Sequence, residues 1–450
     1  MTVSSARRGR WALITEAIES RLWPLPVAAI VLSVVLGLVV PRLDVLLDAE
    51  LPAAVDSAVF NGGAETARSV LSSIAGSLIT ATSLTFSLTV VALQLASSQA
   101  SPRVLRLFAR DRRVHVTLAV FLGTFAYAVS VLRSVREATD DVPEFVPRIA
   151  VTAGFVLTLV SVVMLVFFLS HLATQLRVET ILKDIHAETD RTIRLVADMH
   201  AASPPYLLPF DVPEGKATVI AERSGFITSC NRGALLSFAA AHGVVIEETK
   251  RVGESIVAGT PQAHWWSTDP AGPTVDPEAV DRAVRDAYSI GYERTAAQDV
   301  NYGVQQVLDI AVRALSPGVN DPTTAVHALG HLSALVNRIV ALPPLPAGLA
   351  GEDGQLRLVT TSQALGELVE DSLAPVRHHG GDDPSVVIRF LQLVSDLAFV
   401  STESEVRRAL ARQLSALEAQ LLANSRDPSS AAHMLILTRA LHEQISGSPE

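Results

Sequence analysis

Apolar residues run through four stretches in the first part of the chain, 22–40, 70–95, 114–132 and 149–172, and none of them contains Asp, Glu, Lys or Arg. A bilayer core of about 30 Å takes about 20 such residues per helix. Helices that cover a soluble core keep a polar stripe toward water, and these stretches have none. The pattern therefore predicts four membrane spans. Arg7, Arg8 and Arg10 before the first span resemble the charged start of a signal peptide. The apolar run is long and no small-x-small cleavage site follows it, so an uncleaved anchor is the reading taken.

Charges between the spans set an orientation, because Lys and Arg gather on the cytoplasmic side. Arg7, Arg8, Arg10 and Arg21 precede the first span, and Arg103, Arg106, Arg110, Arg112 and Arg113 lie between spans two and three. The other two loops carry Asp44, Asp48, Glu50, Asp56 and Glu65, and Glu137, Asp140, Asp141 and Glu144, and read as external. Both termini are then cytoplasmic, as is everything after His171.

Beyond the last span the periodicity changes twice. From His171 to His200 no Pro or Gly occurs, and Val178, Ile181, Leu182, Ile185, Ile193 and Val196 recur at helical spacing, which predicts a stalk helix extending span four. Pro204, Pro205, Pro209 and Pro213 end it and mark a domain boundary. Short alternating runs then follow, ATVIAERSGFITS and VVIEETKRVGESIVAGTPQA around a helical RGALLSFAAAHG, with glycines where turns are needed. They suggest a small β barrel-sandwich-like module without a modifiable lysine at a hairpin tip. From Val275 onward the pattern is helical, interrupted by LPPLPAGLAGEDG and by HHGGDDP, read as a loop at His378 to Pro384.

The densest chemistry lies in ERTAAQDVNYGVQQVLDIAVRALSPGVNDPTTAVHALGHL. Asp299, Tyr302, Gln306, Asp309 and Arg313 recur at spacings of three and four and predict a polar stripe on one helix face. Pro317 and Gly318 break that helix, Asn320 follows, and Asp321-Pro322 reads as an N-cap with Pro at the first helical position. The amides of that helix start, with Arg313, would suit an anion, although Asp321 fills the place as an ordinary cap. His327 and His331 are also four apart, but without an HExxH pattern they read as core or surface histidines. The run ERTxxQDxxYGxxQxxDIAxRALSPGxNDPTTA, together with SLTFSLTVVALQLASSQASPRVLRLF in span two, resembles a family of predicted bacterial membrane proteins of unknown function. The resemblance implies an integral membrane protein and carries no activity with it.

Span two is rich in hydroxyls. At 100° per residue Ser73, Gly76, Thr80, Ser83, Ser87 and Gln94 share one face, which Val90 and Val91 interrupt near the cytoplasmic end. Two readings stay open: close packing of helices through small and hydroxylated residues, or a pore lining in an oligomer with the valines as an apolar gate. The arginines 103–113 would form a basic mouth or meet anionic lipid headgroups.

Composition narrows the remaining classes. Of 450 residues 49% are hydrophobic and 18% charged, with a mean hydropathy of +0.35 and a net charge of −10, which argues for a membrane protein and against nucleic-acid binding. A single cysteine, Cys230, excludes an internal disulfide and a multi-cysteine zinc site. No phosphate loop, nucleophile elbow or dinucleotide fingerprint occurs, so no enzyme activity, cofactor or metal is expected. The fold class predicted is an α-helical transmembrane bundle of four spans with a cytoplasmic α+β region, a small β barrel-sandwich-like module followed by a helical bundle. Its parts are 1–21, a cytoplasmic N-terminus; 22–172, the bundle; 173–214, stalk and linker; 215–270, the β module; and 271–450, the helical domain. The function expected is that of an oligomeric bacterial inner-membrane protein, channel-like with span two along the path and a cytoplasmic regulatory domain. The alternative is a non-conducting scaffold or sensor with a cytoplasmic protein partner.

Overall fold

A computed structural model describes residues 23–47, 59–99, 111–138, 144–175, 177–269, 275–423 and 428–446. The expected N-terminal segment 1–21 and the arginines Arg103, Arg106 and Arg110 lie outside these described residues. The chain divides into two compact units, Met1–Thr180 and Ile181–Glu450.

The first unit holds α1 (Pro24–Leu47), α2 (Ala64–Gln99), α3 (Arg112–Leu132) and α4 (Arg148–Gln175). Each is long and apolar enough to cross a membrane, as the four apolar runs predict. Helix α3 is the centre, packed against the other three, with Phe121, Ala128 and Val131 fully buried. Small residues let α1 approach it, since a Cβ on Gly37 would stand 2.5 Å from Ser130 Cβ. Bulky apolar side chains such as Leu32, Phe86, Val166 and Phe167 face outward on α1, α2 and α4, as hydrocarbon surroundings require.

One end of the bundle is tied together by polar groups from the loops read as external. Buried Asp44 accepts from the amides of Ile149 (3.1 Å) and Ala150 (3.0 Å) and caps α4. Glu144 accepts from Ala64 N at 2.7 Å and caps α2, while Arg148 Nε donates to Phe60 O at 3.0 Å. At the other end Asp111 caps α3 through Arg113 N (2.9 Å), and His171 meets both Asp111 and Arg113.

Most of α5 (Val178–Ala201) belongs to the second unit, which starts at Ile181. Along the predicted stalk α4 ends at Gln175 and α5 begins at Val178, and Leu176 between them lies outside the described residues. The Pro-rich linker lies within the second unit. Tyr206 N donates to Gly348 O (2.9 Å) and Ala350 N to Pro204 O (2.9 Å), so the linker adds to a sheet edge inside the unit.

Strands β1 (Ala217–Ile220), β2 (Gly225–Cys230), β3 (Val244–Glu248), β4 (Ser255–Ile256) and β5 (Pro261–Ser267) fall where the alternating runs place them, with α6 (Arg232–His242) between β2 and β3. The rest of the β-rich part departs from a barrel-sandwich. After α7 (Pro277–Ala287) come β6 (Tyr288–Gly291) and, far along the chain, β7 (Gly348–Ala350) and β8 (Leu356–Val359). A five-stranded sheet runs β1-β5-β3-β8-β7, with β3 and β8 parallel, and a three-stranded one runs β4-β2-β6. Val219, Ile227, Leu235, Ile246, Val280 and Leu358 share one core between the sheets and α6 and α7.

Helices α8 (Val300–Ala314), α9 (Pro322–Val340), α10 (Leu365–Gly380), α11 (Pro384–Val400), α12 (Ser404–Ala423) and α13 (Pro428–Ser446) complete the unit. Asp276, Asp321 and Asp383 cap α7, α9 and α11, each followed by Pro at the first helical position. His378 and His379 lie in the last turn of α10 rather than in a loop.

Candidate functional site

Two places hold the chemistry that the sequence singles out. On α2, Ser73, Gly76, Thr80, Ser83, Ser87, Val90, Val91 and Gln94 are all exposed on the surface of the chain, while Ala67, Leu71, Ile74, Leu78, Thr85 and Ala92 on the opposite face are buried. The polar row is therefore not what holds α2 to its own bundle. A Cβ on Gly76 would meet nothing within 4 Å. Several neighbouring hydroxyls bond back to their own helix: Ser77 Oγ donates to Ser73 O (2.5 Å), Thr80 Oγ1 to Gly76 O (2.9 Å) and Thr89 Oγ1 to Thr85 O (2.8 Å). Of the basic mouth, Arg112 and Arg113 are described, and both are exposed at the start of α3.

The second place is a cavity of about 540 Å³ inside the C-terminal unit, between the β-rich part and the helices. The start of α8 lines it with Arg294, Gln298, Asp299 and Asn301, and the β3–β4 turn with Arg251, Gly253 and Glu254. The end of α5 adds His200, the start of α6 Arg232, and the starts of α10 and α12 add Asp371, Glu403 and Glu405.

Asp299 is the N-cap of α8, accepting from Tyr302 N at 3.1 Å, and it pairs with Arg294 at 2.8 Å through Nη2 and 2.9 Å through Nε. Burial raises its pKa, and the Arg294 guanidinium and the hydrogen bonds offset part of that. Gly253 has φ +94°, and a Cβ there would overlap the Asp299 carboxylate. Gln298 Oε1 accepts from Cys230 N at 2.9 Å. Arg232 grips buried Glu248 in a two-point contact, Nε–Oε1 2.8 Å and Nη2–Oε2 3.0 Å. Burial, followed by the Glu248 charge, pushes the Cys230 thiol up to about 12, so it is no nucleophile. Burial lowers the pKa of His200.

Of the residues predicted to act together on α8, only Asp299 reaches the cavity. Tyr302 and Gln306 are buried, so that part of the stripe packs into the interior of the unit. Asp309 accepts from Gln305 Nε2 at 2.9 Å, Arg313 lies half-buried in the last turn of α8, and Asn320 adopts φ +50° in the turn before α9. Asp321 accepts from Thr324 N at 3.0 Å and fills the N-cap, leaving no place there for an anion. Sequence reading missed Arg232, Glu248, Arg251, Asp371, Glu403 and Glu405, whose positions span five elements and leave no local signal. It missed His186 as well, whose Nδ1 stands 3.2 Å from His331 Nδ1 across α5 and α9. Among the described residues no three His, Cys, Asp or Glu side chains form a metal-ligand set.

The chain is 32% identical over 427 residues to the uncharacterized protein MT1328 of Mycobacterium tuberculosis (strain CDC 1551 / Oshkosh), covering 92% of this chain and 78% of that one. The same identity and coverage hold for the uncharacterized protein Mb1321c of Mycobacterium bovis. No solved structure matches it. A family profile described as predicted membrane protein matches residues 19–396, and with four membrane-length apolar helices the chain belongs to that family, DUF2254.

Proposed function

We propose that the protein is a homo-oligomer of the bacterial inner membrane, with both termini cytoplasmic, in which the α2 rows of several copies converge on a path for ions or small solutes. The observation that supports this is the outward polar row on α2, from Ser73 to Gln94, which among the described residues no other helix covers. Hydrocarbon is a poor solvent for Ser83, Ser87 and Gln94, and either water or a second copy would satisfy them. Val90 and Val91 would narrow the path, and Arg112 and Arg113 would sit at its mouth, where lipid headgroups also fit them. The role is non-enzymatic, with the C-terminal unit as regulator.

A second reading has its own observation. Hydroxyls bonded back to their own helix tolerate lipid, so α2 would also suit a non-conducting scaffold or sensor whose C-terminal unit binds a protein partner. Flux from liposomes separates the two readings. Ser83→Leu and Ser87→Leu are expected to cut wild-type flux at least tenfold at unchanged oligomer size. Loss of the oligomer in those variants, or absence of wild-type flux under salt and osmotic gradients, would favour the scaffold.

A further inference from the structure

We propose that the cavity of the C-terminal unit binds a small organic cation, an amine with an aliphatic body. Its size of about 540 Å³ lies within the range of small-molecule sites. The ligand class follows from what its walls have already spent. Each arginine lining it holds a carboxylate: Arg232 with Glu248 at 2.8 Å, Arg251 with Glu254 at 2.7 Å and Arg294 with Asp299 at 2.8 Å. None of the three lysines, Lys183, Lys216 and Lys250, is on the wall.

Other carboxylates of the lining, on α10 and beside and on α12, are different. Asp371 accepts from Gln363 Nε2 (3.1 Å) and Glu405 from Leu365 N (2.9 Å), both neutral donors. Among the described residues neither of these carboxylates, nor Glu403, has a basic side chain within ion-pair distance. An ammonium group beside any of them gains a charge-assisted hydrogen bond that no basic side chain already supplies. A carboxylate or phosphate would meet three carboxylates and arginines already committed. Val196, Val304, Leu308, Ile339, Leu342 and Leu368 form an apolar side against which a short methylene chain loses its contact with water.

The inference stands apart from conduction, since it concerns binding alone. It is tested on the full-length protein in detergent by calorimetric titration with 1,4-diaminobutane and butylamine, with butyrate and magnesium chloride as controls. One equivalent of amine is expected to bind per chain, more tightly than butyrate or magnesium. Asp371→Asn and Glu403→Gln, which keep shape and remove charge, are expected to weaken the amine at least tenfold at an unchanged melting temperature. Arg251→Gln, which frees Glu254, leaves amine binding equal or stronger. Amine binding no tighter than that of butyrate, magnesium displacing it from the same site, or full affinity in the Asp371→Asn Glu403→Gln double variant would each overturn the proposal. So would weakening by Arg251→Gln, the result an anion site gives.

Discussion

Gly303 has no side chain, and that lets α5 lie against α8: a Cβ there would overlap Thr189, which is itself buried. Thr192 Oγ1 fixes the same approach by donating to Ala296 O at 2.6 Å. A methyl forced into such a contact costs about 1–3 kcal/mol, so Gly303→Ala is expected to lower the unfolding free energy of the C-terminal unit by that amount. Gly253→Ala is expected to cost at least as much, because the residue combines φ +94° with the Asp299 carboxylate at its back. Gly233→Ala is the control. Its Cβ would find Asn231 Oδ1 at 3.6 Å, ordinary contact at an exposed helix position, so it should stay within about 0.5 kcal/mol of wild type. Urea unfolding followed by Trp265 and Trp266 fluorescence measures all three, and equal shifts would remove the case for tight packing.

Elements carry a pH dependence that single residues do not. His186 on α5 and His331 on α9 face each other, and one ring must donate while the other accepts. Burial is the main cause of the lowered pKa of both, assisted by Arg338 beside His186 and by His186 and His327 beside His331. A group whose folded pKa lies below its unfolded value adds stability that is present above the unfolded value, 6.5, and lost as pH falls through the folded one. The urea midpoint of the C-terminal unit should therefore drop between about pH 7.5 and about pH 5.5. His331→Gln should reduce that drop, and an identical drop in the variant would assign it elsewhere.

The same scale shows what was legible in the sequence. Spans announce themselves because about 20 consecutive apolar residues have few other uses, and Asp321-Pro322 and its relatives open helices because an Asp cap and a Pro at the next position satisfy the first turn. The parallel pairing of Ile246 with Leu358 was not legible. Its strands are five and four residues long and more than 100 positions apart, and no local period encodes a partner at that distance. The cavity was hidden for the same reason, with walls drawn from Val196 to Glu405. Hydroxyl spacing places the polar residues of α2 on one face, yet it could not tell whether that face turned toward α3 or away from it.

At the scale of the whole molecule, two compact units with separate cores have different solvents to answer to. The first keeps its backbone hydrogen bonds in detergent because nothing in an apolar surround competes for them, whereas the second depends on burying Ile227, Leu235, Ile246 and their neighbours from water, which urea weakens directly. A single two-state transition is then not expected. In a Trp11→Phe Trp23→Phe background, the fluorescence of Trp265 and Trp266 should report an early urea transition, while far-ultraviolet circular dichroism keeps the signal of α1 to α4 to higher urea. Gly303→Ala should move only the first transition. Tyr127→Phe, which removes the buried hydroxyl that donates to Ala150 O at 3.1 Å, should act only on the second, by about 1 kcal/mol. Coincident loss of both signals, with either variant shifting both, would mean that the two units unfold as one and that their separate cores do not act separately.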